Sequence, residues 1–384
     1  MNQEKLLLIP GPTPVHPRII NILSLPTVSH VSPVFISEFK EALSNLKKIV
    51  LCRQGEPFLV AGSGTLAMEM ALLNTVGKQE KYLIVSQGYF GHRMADIGNI
   101  FGLQFDIIQS EAGQAVLPEE LKKKMSGNDY SAVVSTHVDT ATGVCAPIKE
   151  YADIIRPTDS LFILDGVCAT GGIEEKMDDW GIDVILTAAQ KCFGVPPGLA
   201  VLVFSDKAVQ KRKRLDSIFA YYSDILRWLP IMKDPSKYFS TPCVNEIRAF
   251  NEGTKIILEE GLDVRFQRHR KTAKAIRAAF SELGFSFYPE NEFFSNTLSV
   301  VKYPAGVEDK VFRSGYFDRG IVVAGGLGST AGSVFRMGHM GNISKSQIMF
   351  AIDALEKTLD SIGYKFQLNS GVQAAQEILE SNLE

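Results

Sequence analysis

The sequence predicts an α/β protein: a mostly parallel sheet covered by helices, followed by a smaller α+β portion at the carboxyl end. Apolar runs at 58–60, 82–86, 104–109, 131–136, 160–164, 183–187 and 199–204 alternate with segments of helical periodicity, the pattern of strand–helix–strand units. Several of these runs open into polar or glycine-rich loops, and α/β sheets place their ligands outside the carboxyl ends of the strands. At 384 residues the chain is too long for one small core and suits a large domain with a smaller one.

Taken in order, residues 1–20 read as a proline-rich arm. The run at 58–60 leads into a glycine-rich turn, Gly62, Ser63, Gly64 and Thr65, and then a helix with Leu66, Met70 and Leu73 on its buried face and Gly77 at its end. Unpaired amides at such a helix start favour an anion, and a phosphate fits there. Gly62, Gly64 and Ala67 also satisfy a dinucleotide-binding pattern, but the next strand ends in Ser86 with no acid to hold a ribose hydroxyl. An ordinary tight turn satisfies the same letters. Tyr89 and Phe90 follow in a glycine-flanked loop, where an aromatic ring can stack on a flat ligand. The strand at 131–136 opens into the polar loop from Thr136 to Gly143. A helix is expected from Asn245 to Glu260, with Ile247, Phe250, Thr254 and Ile257 on one face and Gly261 stopping it. Helix 263–283, the strand-like stretches "NTLSVV" and "GIVVAGG", and helix 345–360 form the smaller portion, with 367–384 a polar tail of some helical character. The expected division is an arm (1–20), a large domain (21–260) and a small domain (261–384).

Asp165 and Lys191 carry the chemistry. They stand 26 positions apart (191 − 165), each at the end of an apolar run, in "SLFILDGVCATGG" and "DVILTAAQKCFGVPPG". If both strand ends open into one crevice, the amine can form a Schiff base with an aldehyde cofactor while the carboxylate keeps a pyridinium nitrogen protonated. For either residue alone, a helix cap or a solvated loop position is the favoured reading. The pair gains weight from the polar loops that end the neighbouring strands.

With "LLLIPGPTPVHPRI", "GSGTLAMEMAL", "THVDTATGV", "LDGVCATGG", "AAQKCFGVPPGLAVL", "YFSTP" and "FRMGHMG", nearly the whole chain resembles the class V aminotransferases. These are fold-type I pyridoxal phosphate enzymes, and the likeness is to the alanine- or serine-dependent glyoxylate and pyruvate aminotransferases. The resemblance implies pyridoxal 5'-phosphate as cofactor and a sheet with an antiparallel edge strand. It implies that Lys191 holds the cofactor's aldehyde carbon and shuttles a proton, that Asp165 pairs with the ring nitrogen, and that Phe90 and Val167 lie on opposite ring faces. Ser63, Gly64, Thr65 and Gln190 would surround the phosphate, Thr140 would stand beside the ring, and Tyr238 and Thr241 would reach in from the other subunit of a homodimer. Arg336 would clamp the substrate carboxylate, with Gly11 beside it. Two positions depart from the family's pattern: Phe90 stands where the ring-stacking residue is often tryptophan, so stacking is expected with less area, and Ala169 where serine is common near the substrate, which bears on substrate contacts.

Composition agrees with an ordinary globular protein. A net charge of −3 gives no pull toward nucleic acid or anionic membranes; of two local basic stretches, "KAVQKRKRL" reads as a solvated helix face at Lys211 to Arg214, and in "RFQRHRKTAKAIR" Arg268 to Lys274 flank apolar positions at helical spacing. Five cysteines without a C-x-x-C pair read as reduced thiols. The six histidines show no metal spacing, so no metal is assigned, and with no long apolar span a cytoplasmic protein is expected. Small amino acids and 2-oxo acids are the expected partners, with alanine or serine as donor and glyoxylate or pyruvate as acceptor. A cysteine desulfurase of the same fold is disfavoured because Gln190 precedes the lysine where histidine is common, and because "VAGGLGSTAGS" lacks a cysteine. A non-catalytic subunit built on this fold has no structural need for both Asp165 and Lys191.

Overall fold

The structure, a computed structural model, describes residues 5–381. The arm begins with β1 (Leu6–Leu7), and the central sheet is built from β2 (Glu56–Ala61), β3 (Lys81–Ser86), β4 (Gln104–Gln109), β5 (Ala132–Thr136), β6 (Leu161–Asp165), β7 (Val184–Ala188) and β8 (Leu199–Phe204). Their order across the sheet is β2-β8-β7-β6-β5-β3-β4. All seven stand within about two residues of the apolar runs read from the sequence. β5, β6, β7 and β8 are buried along their whole length, because helices cover both faces of the sheet.

The expected antiparallel strand exists but does not lie at the edge. β8 runs antiparallel to both neighbours, β2 and β7, and so sits one place inside the sheet. The ten residues between β7 and β8 return the chain directly beside β7, and six wholly apolar, buried positions in β8 favour an interior place. The register pairs Thr136 with Asp165 and Asp165 with Leu186, which puts Asp165 at the centre of the sheet's carboxyl edge. The strand order reverses between β3 and β5, opening the crevice of a doubly wound sheet there.

Other elements depart from the sequence reading for identifiable reasons. The helix after β2 spans Gly64–Leu73 and stops at Asn74, before Gly77. The Asn74 amide donates to the Met70 and Ser223 carbonyls (2.7 and 2.8 Å), taking the chain out of the helix. Arg212, within the first basic run, is buried in a two-pronged pair with Asp224 (3.0 and 2.8 Å) and is not solvated.

The carboxyl-terminal segment follows the helices Val244–Glu260 and Leu262–Glu282. It contributes β9 (Ser286–Phe287), β10 (Leu298–Lys302), β11 (Ile321–Val322), β12 (Ala324–Gly325), β13 (Val334–Gly338) and the helix Lys345–Ser361. "GIVVAGG" is two strands. β11 pairs in parallel with β1 of the arm, while β12 turns away to pair with β13. Residues 370–380 form a helix, Ser370–Glu380, whose start is held by the buried Glu356 carboxylate accepting from the Asn369, Gly371 and Val372 amides. That segment packs onto the domain through Ala375 and is not a free tail.

Candidate active site

The loops that follow β2, β3, β5, β6 and β7 meet at one edge of the sheet, and most of the expected site residues lie on them. Asp165 ends β6, where its carboxylate accepts from the Val167 amide (3.0 Å) and the Thr136 hydroxyl (3.4 Å). Gly64 opens its helix against Val167: a Cβ there would meet Val167 Cγ2 at 3.3 Å, so the glycine lets the turn lie close to the loop after Asp165. Ser63 stands at the N-cap without a side-chain cap bond, leaving the first amides of the helix open. Thr65 accepts from Arg93 Nη1 (3.4 Å), and the same guanidinium lies over the Phe90 ring, 4.5 Å from its centroid.

Lys191 lies three residues beyond β7, and its amine donates to the Pro10 carbonyl of the arm. Gly11 makes room for it, because a Cβ there would come within 2.5 Å of Lys191 Cδ and 3.0 Å of its Nζ. Thr13 completes the arm's grip, donating from its hydroxyl to the Lys191 carbonyl (2.8 Å). The Oε1 of the adjacent Gln190 is buried with no hydrogen-bond partner among the described residues. Arg336, on β13, donates to the Gly325 carbonyl (2.8 Å) and to the Thr140 carbonyl (3.3 Å), and no carboxylate pairs with it among the described residues. The Thr140 hydroxyl meets the Cys168 thiol at 2.8 Å.

The electrostatics are those of a site built for charge. Burial pushes the Asp165 carboxyl up to about 7, opposed by the Val167 amide and by Lys191. Burial also raises Asp139 and lowers Arg336. A flat ring with a protonated nitrogen would give Asp165 the cation it lacks, and a phosphate would engage the open helix start. The glycine gap at Gly64 and the uncapped helix start after Ser63 are consistent with such a group.

Tyr238 and Thr241 are not brought to this site within the chain. Both are exposed, Tyr238 at 67%, and Tyr238 rests against His30. Tyr89 and Phe90 open the helix Tyr89–Phe101 and do not lie in the expected loop. Sequence reasoning missed Asp139, whose carboxylate accepts from the Phe90, Ala141 and Thr142 amides (2.8, 2.9 and 3.1 Å) and so ties the start of that helix to the loop after β5. It missed Glu175 as well, which joins His137 (2.7 Å) to Thr170 (2.6 Å). An acid in a loop flanked by hydroxyls is the only signal Asp139 offered; Glu175 offered none.

A doubly wound sheet with a buried acid ending one strand and a lysine just past its neighbour has the architecture of a fold-type I pyridoxal phosphate enzyme. The family model for class-V aminotransferases matches residues 21–346, and the chain belongs to that family. It is thus an aminotransferase, and pyridoxal 5'-phosphate is its cofactor. It is similar to the L-aspartate–glyoxylate aminotransferase of Paracoccus denitrificans, 33% identical over 98% of this chain and 96% of that one. It is similar also to alanine–glyoxylate aminotransferase 1 of Saccharomyces cerevisiae, 34% identical over 87% of this chain and 91% of that one. Among solved structures, the ureidoglycine–glyoxylate aminotransferase of Bacillus subtilis superposes with a TM-score of 0.93 at 26% identity, covering 99% of each chain. No helix among the described residues is long and apolar enough to cross a membrane.

Proposed function

We propose that this aminotransferase moves the amino group of a small neutral amino acid, alanine or serine, to glyoxylate, with pyruvate as the alternative acceptor. The observation that carries the reading is the meeting of Asp165, Lys191 and Arg336 on loops and strands around one crevice. The three relatives named above differ in donor and share glyoxylate as acceptor, which supports the acceptor more strongly than the donor.

Pyridoxal phosphate supplies an aldehyde carbon and an electron-withdrawing ring. Around it, Lys191 is the group that holds the cofactor and moves the proton at the substrate's α-carbon. Asp165 keeps the ring nitrogen protonated, its burial making a fixed cation beside it favourable. Phe90 and Val167 would flank the ring, Thr140 would stand beside it, and Ser63, Gly64, Thr65 and Gln190 would surround the phosphate. Arg336 takes the substrate carboxylate, its guanidinium held by the Gly325 and Thr140 carbonyls. Tyr238 and Thr241, exposed here, reach the phosphate of the second subunit in a homodimer. The chain divides functionally into the arm (1–20), a cofactor-binding part (21–260) and a smaller part (261–384), and the five free thiols suit a reducing compartment such as the cytoplasm.

The donor follows from charge. One arginine fixes one carboxylate, and a dicarboxylic donor would bury a second charge that needs its own cation. The competing reading makes Arg93 that cation, since no carboxylate pairs with it among the described residues; however, its guanidinium lies over Phe90 and bonds Thr65 on the proposed phosphate side. The test is to follow the cofactor's visible absorbance while titrating alanine, serine, aspartate and glutamate, then to measure kcat/KM with glyoxylate. Alanine or serine should exceed both acids, and Arg336→Ala should lose about 10-fold or more for every donor. A preference for aspartate or glutamate that is abolished by Arg93→Met would replace the neutral-donor reading with the dicarboxylic one.

A further inference from the structure

Arg265 is an arginine with no exposed surface, in the first turn of the helix Leu262–Glu282. A wholly buried guanidinium is tolerated only when its donors are used, and here each nitrogen is. Nη1 meets Glu260 at 2.7 Å, which offsets the charge. The other two reach separate loops: Nε donates to the Gly171 carbonyl (2.7 Å) and Nη2 to the Cys192 carbonyl (2.6 Å). Gly171 lies on the loop that leaves Asp165, and Cys192 is the residue after Lys191. The Asp165 loop is bonded to β7 at its start, where the Gly166 amide donates to the Leu186 carbonyl (2.9 Å) and Thr187 Oγ1 to the Gly166 carbonyl (3.3 Å); farther out, among the described residues, the two loops share only a weak sulfur contact, Cys192 to the Cys168 carbonyl at 3.9 Å, as a direct hydrogen bond.

The planar fork suits this task because its edges point in fixed directions, whereas a lysine ammonium is a single point on a flexible stem. Glu260 also accepts from Arg268 (2.6 and 3.0 Å), which donates in turn to the Gly341 carbonyl (3.0 Å), five residues beyond Arg336. A single ion cluster at the start of the carboxyl-terminal segment is thus bonded downstream of all three residues of the proposed site.

We infer that Arg265 is a positioning residue for the reaction: it fixes the separation of the Asp165 and Lys191 loops, so that the acid and the amine face one cofactor from set positions. The inference rests on the roles proposed above for those two residues. Arg265 touches neither cofactor nor substrate, and it acts through the Gly171 and Cys192 carbonyls.

The test compares Arg265→Met and Arg265→Lys with Arg212→Met, which also removes a buried, paired arginine but one bonded to none of the site loops. Hydrogen exchange is measured on the cofactor-free proteins, and the pH midpoint of the visible band and kcat on the loaded ones. Arg265→Met should raise exchange about tenfold or more in both 166–172 and 189–195, because a charge-assisted bond is lost from each. It should also shift the midpoint and lower kcat by about 10- to 100-fold, the penalty of sub-ångström to ångström misplacement. Arg265→Lys keeps the charge but lacks the rigid fork whose separate nitrogens meet the two carbonyls, so at least one loop should loosen and the midpoint should still move. Arg212→Met should lose stability while leaving both segments and the midpoint as in wild type.

Wild-type protection of both loops in Arg265→Met would overturn the inference, as would loosened loops with an unchanged midpoint and kcat, or an Arg212→Met variant that behaves the same way. If Arg265→Met does not fold, Arg265→Lys decides alone, and wild-type exchange with a wild-type midpoint in it rejects the role. Failure of the underlying reading shows separately, as a Lys191→Ala protein that keeps the visible band, while the exchange result is obtained without cofactor.

Discussion

Gly11→Ala should separate the cost of backbone strain from the cost of misplacing the lysine. Gly11 has φ +99°, a region that side chains with a Cβ rarely adopt, so alanine there costs about 1–2 kcal/mol of stability. The added Cβ would lie 2.5 Å from Lys191 Cδ and 2.9 Å from Cε. Ordinary contact begins near 3.4 Å, so the lysine must retreat by up to 0.9 Å (3.4 − 2.5). Its end is flexible, so this retreat adds little to the stability loss. Its effect on chemistry is larger, since a misplacement of about 1 Å costs on the order of 100-fold in rate. Gly102→Ala is the control: φ is +66°, and nothing lies within 4 Å of the Cβ that would be added. Both variants should lose a similar amount of stability in chemical denaturation, but only Gly11→Ala should lose about 100-fold in kcat with glyoxylate and a saturating donor. A Gly11→Ala enzyme within about twofold of wild type, or a Gly102→Ala enzyme equally impaired, would refute the claim that Gly11 is kept to seat Lys191.

Asp165 predicts a pH dependence in the cofactor-free protein. Its carboxyl rises from 3.8 to about 7 through burial, so the native state binds the proton more tightly than the unfolded chain. Stability should fall as pH rises from about 4 to about 7, by on the order of 4 kcal/mol, and then level off. Asp165→Asn should remove that slope in urea denaturation, and a wild-type-minus-variant difference that stays constant across the window would count against it. The subunit-sharing proposal is tested by mixing: Lys191→Ala alone should lose the visible band and nearly all turnover, as should a chain carrying Tyr238→Ala with Thr241→Ala. Heterodimers of the two should regain one working site, because one site carries both lesions and the other neither; no activity gained on mixing would argue that each site is built within a single chain.

The strands of the central sheet were legible because apolar runs bounded by turns are a local pattern, and Asp165 and Lys191 were legible because each ends such a run. The glycines after β2 and β3 were legible as breaks in the chain, but the helices begin at once, at Gly64 and Tyr89, so that Thr65 and Phe90 stand in first turns and not in loops. What the sequence could not supply were partners remote along the chain. The inside position of β8, Glu356 capping a helix that looked like a tail, and Asp139 tying the start of the Phe90 helix to the loop after β5 all depend on neighbours that only folding brings together. Arg212 and Arg265 show this most clearly. Arg212 lies in a run that reads as a solvated helix face and Arg265 at the head of a second basic stretch, and a local pattern cannot distinguish an arginine facing water from one facing Asp224 or Glu260. A charge is buried only where a partner and further acceptors meet it, and tertiary structure alone decides where that is.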